Sequence, residues 1–162
     1  MHPVLIDLTP ILHAVGSALG SKWLSEASFQ IHTYGLMIAL EELAAGTQSM
    51  SGINCEFHCA QPVIVADLNS ATHLYRIAQE AVNNALKHSG AKRIRITLSE
   101  RDNQCKMSVE DDGRGLSPSS RRTTGLGLRM MEYRARLIGA RLDTQSSPRR
   151  GMRISCTLRR EP

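Results

Sequence analysis

The sequence predicts a two-layer α/β sandwich: a mixed, mostly antiparallel sheet with helices on one face. Three observations carry that expectation. Apolar residues recur at helical spacing over Tyr34–Ala45, over residues 70–88, and from Gly125 to about Ile138. Period-two runs lie between and after them, at Ile53–Cys59, Lys92–Ser99, Lys106–Glu110, Arg141–Ser146 and Met152–Leu158. Short turn-forming stretches, Arg101-Asp102-Asn103 and Ser147 to Gly151, join two pairs of these runs as hairpins. At 162 residues, 41% hydrophobic and 22% charged, the chain suits one ordinary domain with a real core.

Residues 1–30 read as an N-terminal extension, leaving 31–162 as the domain. Pro3 and Pro10 punctuate the extension, and Leu12, Val15, Leu19 and Trp23 then repeat at helical spacing, weakened by Gly16 and Gly20. A packing or partner-contact helix accounts for that pattern. Leu36, Ile38, Ala39, Leu40 and Leu43 supply the apolar side of the next helix, with Glu41 and Glu42 outside and Gly46 expected to close it. The following strand puts Ile53, Cys55, Phe57 and Cys59 on one face. Pro62 to Val65 is a short extended run.

The next helix, LYRIAQEAVNNALKH, is the one the rest of the chain serves. Ser70 or Thr72 can cap its start, and Ser89-Gly90 ends it. Leu74, Ile77, Ala78, Ala81 and Ala85 form its apolar stripe. Beside the stripe run Glu80, Asn84 and Lys87, with Arg76 before them and His88 at the edge. Oxygen donors and a cation emerging together suit a metal–phosphate ligand. A solvated helix face is the bland reading of the same residues.

Charge is unevenly spread. Residues 1–120 hold 9 Lys/Arg against 12 Asp/Glu, and residues 121–162 hold 11 against 3. A basic end points to nucleic acid, an anionic membrane or a phosphorylated ligand. Three Tyr and two Phe supply few stacking platforms for single strands. The cysteines at 55, 59, 105 and 156 form no C-x-x-C pair. In an extended strand Cys55 and Cys59 stand about 13 Å apart, too far for a disulfide, so reduced thiols are expected. No apolar run is long enough to span a membrane without a charge or Pro, and no basic leader precedes a cleavage site. A soluble chain is the expectation.

Two further motifs follow the helix. Asp111-Asp112-Gly113-Arg114-Gly115 ends a strand with a carboxylate that can accept from a base's exocyclic amine, followed by glycines that admit close backbone approach. It also reads as an ordinary turn. Residues 116–124 lose all periodicity and read as a mobile loop. Gly125-x-Gly127 opens a helix whose free N–H groups can face an anion, or is simply a flexible helix start. Each signal is weak alone; their order and spacing together are much less accidental.

Together, RIAQEAVNNALKH, DDGRG and GLGLRMMEYRARLIGARL resemble the ATP-binding catalytic domain of bacterial sensor histidine kinases, a branch of the GHKL ATPases, and within it the nitrate/nitrite-sensor type. The likeness covers roughly residues 34–158. It implies the histidine-kinase ATPase fold, with ATP and Mg²⁺ as cofactors. It implies that Glu80 is the acid orienting water at the metal and that Asn84 coordinates Mg²⁺, assisted by Asn83. Lys87 and His88 would lie near the phosphates. Asp111 would bond the adenine amine, with Gly113 and Gly115 giving the base room. Residues 116–124 would be the ATP lid, where Arg121 and Arg122 are phosphate contacts or solvated charge. Thr124, Gly125, Leu126, Gly127 and Leu128 complete the implied nucleotide set.

The partners implied are ATP or ADP, a His-bearing dimerisation helix and, downstream, a response regulator, with no nucleic acid and no membrane contact by this segment. The implied location is cytoplasmic, as a cytosolic part of a sensor. One departure stands out. His13 is the upstream candidate acceptor, but no acid follows it, so the chain reads as a catalytic module acting on a histidine in another segment or chain. A non-catalytic module that binds nucleotide or a partner is the alternative. A topoisomerase or mismatch-repair type of GHKL ATPase is disfavoured by the short lid.

Overall fold

A computed structural model describes residues 24–115, 125–147 and 151–159. In chain order these form α1 (Leu24–Ser51), β1 (Asn54–His58), α2 (Leu68–Asn84), β2 (Arg93–Arg101), β3 (Gln104–Asp111), α3 (Leu126–Leu137), β4 (Arg141–Ser147) and β5 (Gly151–Arg159). The strands make one sheet in the order β1-β2-β3-β5-β4. β1 runs parallel to β2, from Asn54 opposite Arg93 to His58 opposite Thr97. A parallel pair needs a crossover, and α2 supplies it. The other pairings are antiparallel. Asp102 and Asn103, at φ 51° and 58°, turn β2 tightly into β3.

Alternation along the strands puts the core on one side of the sheet. Ile94, Ile96, Leu98, Cys105, Met107, Val109, Ile154 and Cys156 are buried there. Leu36, Leu40 and Ala44 of α1, the whole expected stripe of α2 with Val82 added, and Met131 and Ala135 of α3 close over it. Arg93, Arg95 and Lys106 occupy the open face. The fold is the two-layer sandwich expected. Cys55, Cys105 and Cys156 are buried and Cys59 half-buried, none of them in a disulfide, and burial pushes the Cys156 thiol up to about 12.

Several local expectations change. Gly46 does not close α1, which runs on to Ser51 and stops at Gly52, φ 70°. A glycine weakens a helix by about 1 kcal/mol without ending it. Here Thr47 is buried and donates to the Leu43 carbonyl (2.7 Å), and Ser51 donates to that of Thr47 (2.6 Å). Neither Ser70 nor Thr72 caps α2. Asp67 does, accepting from the amides of Asn69 (3.3 Å) and Ser70 (2.9 Å), while Thr72 donates to the Leu68 carbonyl. Helical winding reaches Ser89 as expected, but Ala85–Ser89 is a π-turn and Gly90 at φ 63° ends it. Residues 62–65 join no strand, although Val63 and Val65 are buried. His13, Arg121, Arg122 and Thr124 lie outside the described residues.

Candidate functional site

Most of the described side chains singled out above lie along one cleft between α2 and α3, at the end of β3. Its inner region is a cavity of about 610 Å³, within the usual range for a small-molecule site. Asn84, His88 and Asp111 line it with Gly115, Gly125, Leu126, Gly127 and Leu128. Asp111 ends the central strand, opposite Ile94 and Met152, and is buried. Its Oδ1 accepts from the Gly113 amide at 2.9 Å. Burial pushes its carboxyl above the ordinary range, opposed by the Gly113 amide and the Ser89 hydroxyl. A buried acceptor facing a mostly apolar cavity is equipped to take one directed hydrogen bond.

Asp112, one residue on, is built differently. It is exposed, and its Oδ1 accepts from the amides of Lys92 (2.8 Å) and Arg93 (2.9 Å). The Arg93 amide, first among its contacts, holds it below the ordinary carboxylate range. Asp112 therefore ties the β3 end to the start of β2, and Asp111 alone serves the cavity.

Close backbone packing fixes the cavity wall. A methyl group at Gly113 would stand 2.5 Å from the Ser89 Cβ and carbonyl oxygen. One at Gly151, φ 79°, would overlap the Asp111 carbonyl. Bare glycines let the π-turn and the β4–β5 hairpin clamp the Asp111 segment from two sides. In the sequence Ser89 reads only as a helix stop and Gly151 only as a turn, and nothing there marks Arg114 or Met152, which also line the cavity. Gly113 is the available signal, since a glycine after an acid implies close approach by something.

The outer region of the cleft is a groove of about 1080 Å³ shared by Arg76, Glu80, Asn84, Lys87, His88 and Arg134. The line of polar residues expected on one face of α2 is thus a real face. His73 also lines it, its Nδ1 buried without a hydrogen-bond partner. Asn83 is exposed and lines neither region. A methyl group at Gly127 would run into the Glu80 carboxylate and lie 3.1 Å from the Asn84 amide nitrogen. The first turn of α3 therefore rests on that pair, and Gly125 offers it no capping side chain. Uncapped N–H groups at a helix start favour an anion.

Among the described residues no group of three or more His, Cys, Asp or Glu could hold a metal. Glu80 and Asn84 offer two hard oxygen donors, the sparse protein set typical of Mg²⁺ held chiefly by phosphate and water. They fit that ion.

Residues 69–162 match the family model described as histidine kinase-, DNA gyrase B-, and HSP90-like ATPase. The chain belongs to that family. It is 30% identical over 131 residues to the nitrate/nitrite sensor protein NarX of Escherichia coli K12, covering 77% of this chain and 22% of NarX. It is 35% identical over 82 residues to the sensor protein VraS of Staphylococcus aureus COL, covering 51% of this chain and 24% of VraS. The chain thus spans about a quarter of the length of these relatives or less. The ATP-binding domain of PrrB from Mycobacterium tuberculosis superposes with a TM-score of 0.61 at 20% identity, over 77% of this chain and 93% of that one. The fold is that of histidine-kinase ATPase domains. Among the described residues no helix is long and apolar enough to cross a membrane.

Proposed function

We propose that the chain binds Mg·ATP in the α2–α3 cleft and donates the γ-phosphoryl group to a histidine on a separate segment or chain. Residues 31–162 form this unit, whose first helix continues back to Leu24 in the extension. The observation that carries the reading is the convergence of Asp111, Asn84 and the uncapped start of α3 on one cavity. Asp111 accepts from the adenine amine. His88, Lys87 and the α3 N–H groups face the phosphates. Mg²⁺, when bound, neutralises phosphate charge and favours in-line transfer, and Glu80 and Asn84 are the residues that hold it and its water. Gly115, Leu126 and Leu128 complete the nucleotide contacts, and Asn83, outside both regions, makes none. Catalysis is then positioning and charge neutralisation, with the nucleophile supplied by the acceptor. The partners are a His-bearing dimerisation helix and a response regulator, in the cytoplasm.

Calorimetry with Mg·ATP and Mg·ADP on the folded chain tests binding, with saturable heat expected for both. Incubation with γ-labelled ATP and a separately produced His-bearing helical segment should place acid-labile, base-stable label on that segment. No heat with Mg·ATP overturns the reading. Heat without label leaves a nucleotide-binding module and removes the kinase step.

A further inference from the structure

The π-turn at the end of α2 raises a question of hydrogen-bond supply. A helix end leaves its last carbonyls without intrahelical donors. Here two of them, those of His88 and Ser89, point to the segment after β3 and are met by one residue. The Arg114 main-chain N–H donates to the Ser89 carbonyl at 3.0 Å. The Arg114 side-chain Nε donates to the His88 carbonyl at 2.9 Å. Within the same wall, Ser89 donates to the Ala85 carbonyl (2.7 Å), accepts from the Ala91 amide (3.0 Å) and abuts Gly113. Arg114 is therefore the capping residue of a turn far away in sequence. It also lines the same cavity as Asp111 and His88.

We propose that Arg114 is a positioning residue: its Nε–H holds the π-turn so that the His88 and Ser89 side chains keep their places on the cavity wall. The π-turn is a wider winding than the α-helix it continues, and such turns, rare in general, are frequent at functional sites. Without the Nε donor the His88 carbonyl is left unpaired and that end of the turn is free to rewind, which moves His88 and loosens Ser89 beside Asp111. The main-chain bond to the Ser89 carbonyl survives any substitution but proline, so the share of the side chain can be isolated. The inference rests on the nucleotide reading only in its ligand readout.

The decisive variant is Arg114→Gln. Glutamine places an uncharged N–H donor at the distance from the main chain that Nε occupies, whereas lysine keeps the charge with a different reach. The full chain and its Arg114→Ala, Arg114→Gln and Arg114→Lys variants are titrated with Mg·ADP, and amide hydrogen exchange of residues 85–90 is followed without ligand. Arg114→Ala should weaken Mg·ADP about fivefold to tenfold, the effect of one lost hydrogen bond, and speed exchange in the turn. Arg114→Gln should restore both toward the parent. Parental affinity and exchange in Arg114→Ala overturn the proposal. So does a Gln variant as weak as Ala beside a Lys variant that binds normally, since Arg114 would then act through its charge on the ligand. If the parent fails to bind nucleotide, the functional reading falls, and the exchange comparison still decides the role of Arg114.

Discussion

The inner and outer regions of the cleft are made of opposite materials. The cavity is walled by alanines, Val109, Ile154 and glycines around one buried carboxylate, Asp111. The groove carries Arg76, Lys87 and Arg134 against Glu80, largely open to water. In the mostly apolar cavity a single directed bond decides between ligands, because leaving the buried Asp111 carboxylate unmatched is costly. In the charged groove charge attracts without discriminating, and salt screens it. A nucleotide is divided in the same way, into a flat base with few polar edges and a chain of anionic phosphates. Under the proposed nucleotide reading, selectivity and affinity sit at different ends of this site.

The largest effect expected from breaking the comparison lies in the packing of the inner wall. Gly151→Ala should cost about 2–4 kcal/mol of stability, combining a left-handed backbone with overlap on the Asp111 carbonyl. Urea denaturation measures it. A change below about 0.5 kcal/mol would show that the clamp around Asp111 is loose.

Next comes Asn84→Ala, at the seam between cavity and groove. It should remove about tenfold of ATP affinity in the presence of Mg²⁺ and little in its absence, with the thermal midpoint unchanged. Collapse of the ligand-free midpoint would make Asn84 structural.

The elements that position these residues were legible in sequence because they depend on local period. The stripe Leu74, Ile77, Ala78, Ala81, Ala85 is buried throughout, and the strand alternation of Ile94, Ile96 and Leu98 survives intact. What was not legible depends on contacts between distant residues. Asp67 caps α2 although Leu68, the first residue of the helix, is 61% exposed and gives no periodic cue. Ala85–Ser89 is wound as a π-turn with residues that an α-helix takes equally well. Ser89, Arg114 and Gly151 acquire their roles only when β3, the π-turn and the last hairpin meet. The polar line on α2 was visible, but that Asn84 would reach both the cavity and the groove while Lys87 faces the groove alone was not.

A smaller effect separates the adjacent acids. Asp112, held low, stabilises the fold above its unfolded value and loses that contribution as pH falls through its folded one. Asp111, pushed up by burial, contributes stability below about pH 4 and loses it as pH rises through its raised folded value. Urea midpoints from about pH 3 to about pH 8 should therefore move oppositely in the two variants. Asp111→Asn should gain stability at neutral pH, and Asp112→Asn should lose it. Shifts of the same sign would contradict the contrast between buried ligand acceptor and exposed tether.

The claim on which everything rests is that Asp111 reads the base. Titration of the parent and of Asp111→Asn with Mg·ATP and Mg·GTP tests it most directly. A charged hydrogen bond of about 1.5–3 kcal/mol exchanged for a poorer one should weaken ATP binding about tenfold to a hundredfold in the variant. GTP should bind the parent poorly, because guanine presents a carbonyl to the carboxylate where adenine presents its amine. Asparagine serves a turn nearly as well as aspartate, so a merely structural Asp111 gives equal ATP affinity in both proteins. That result, or equal affinity of the parent for the two nucleotides, would contradict the account.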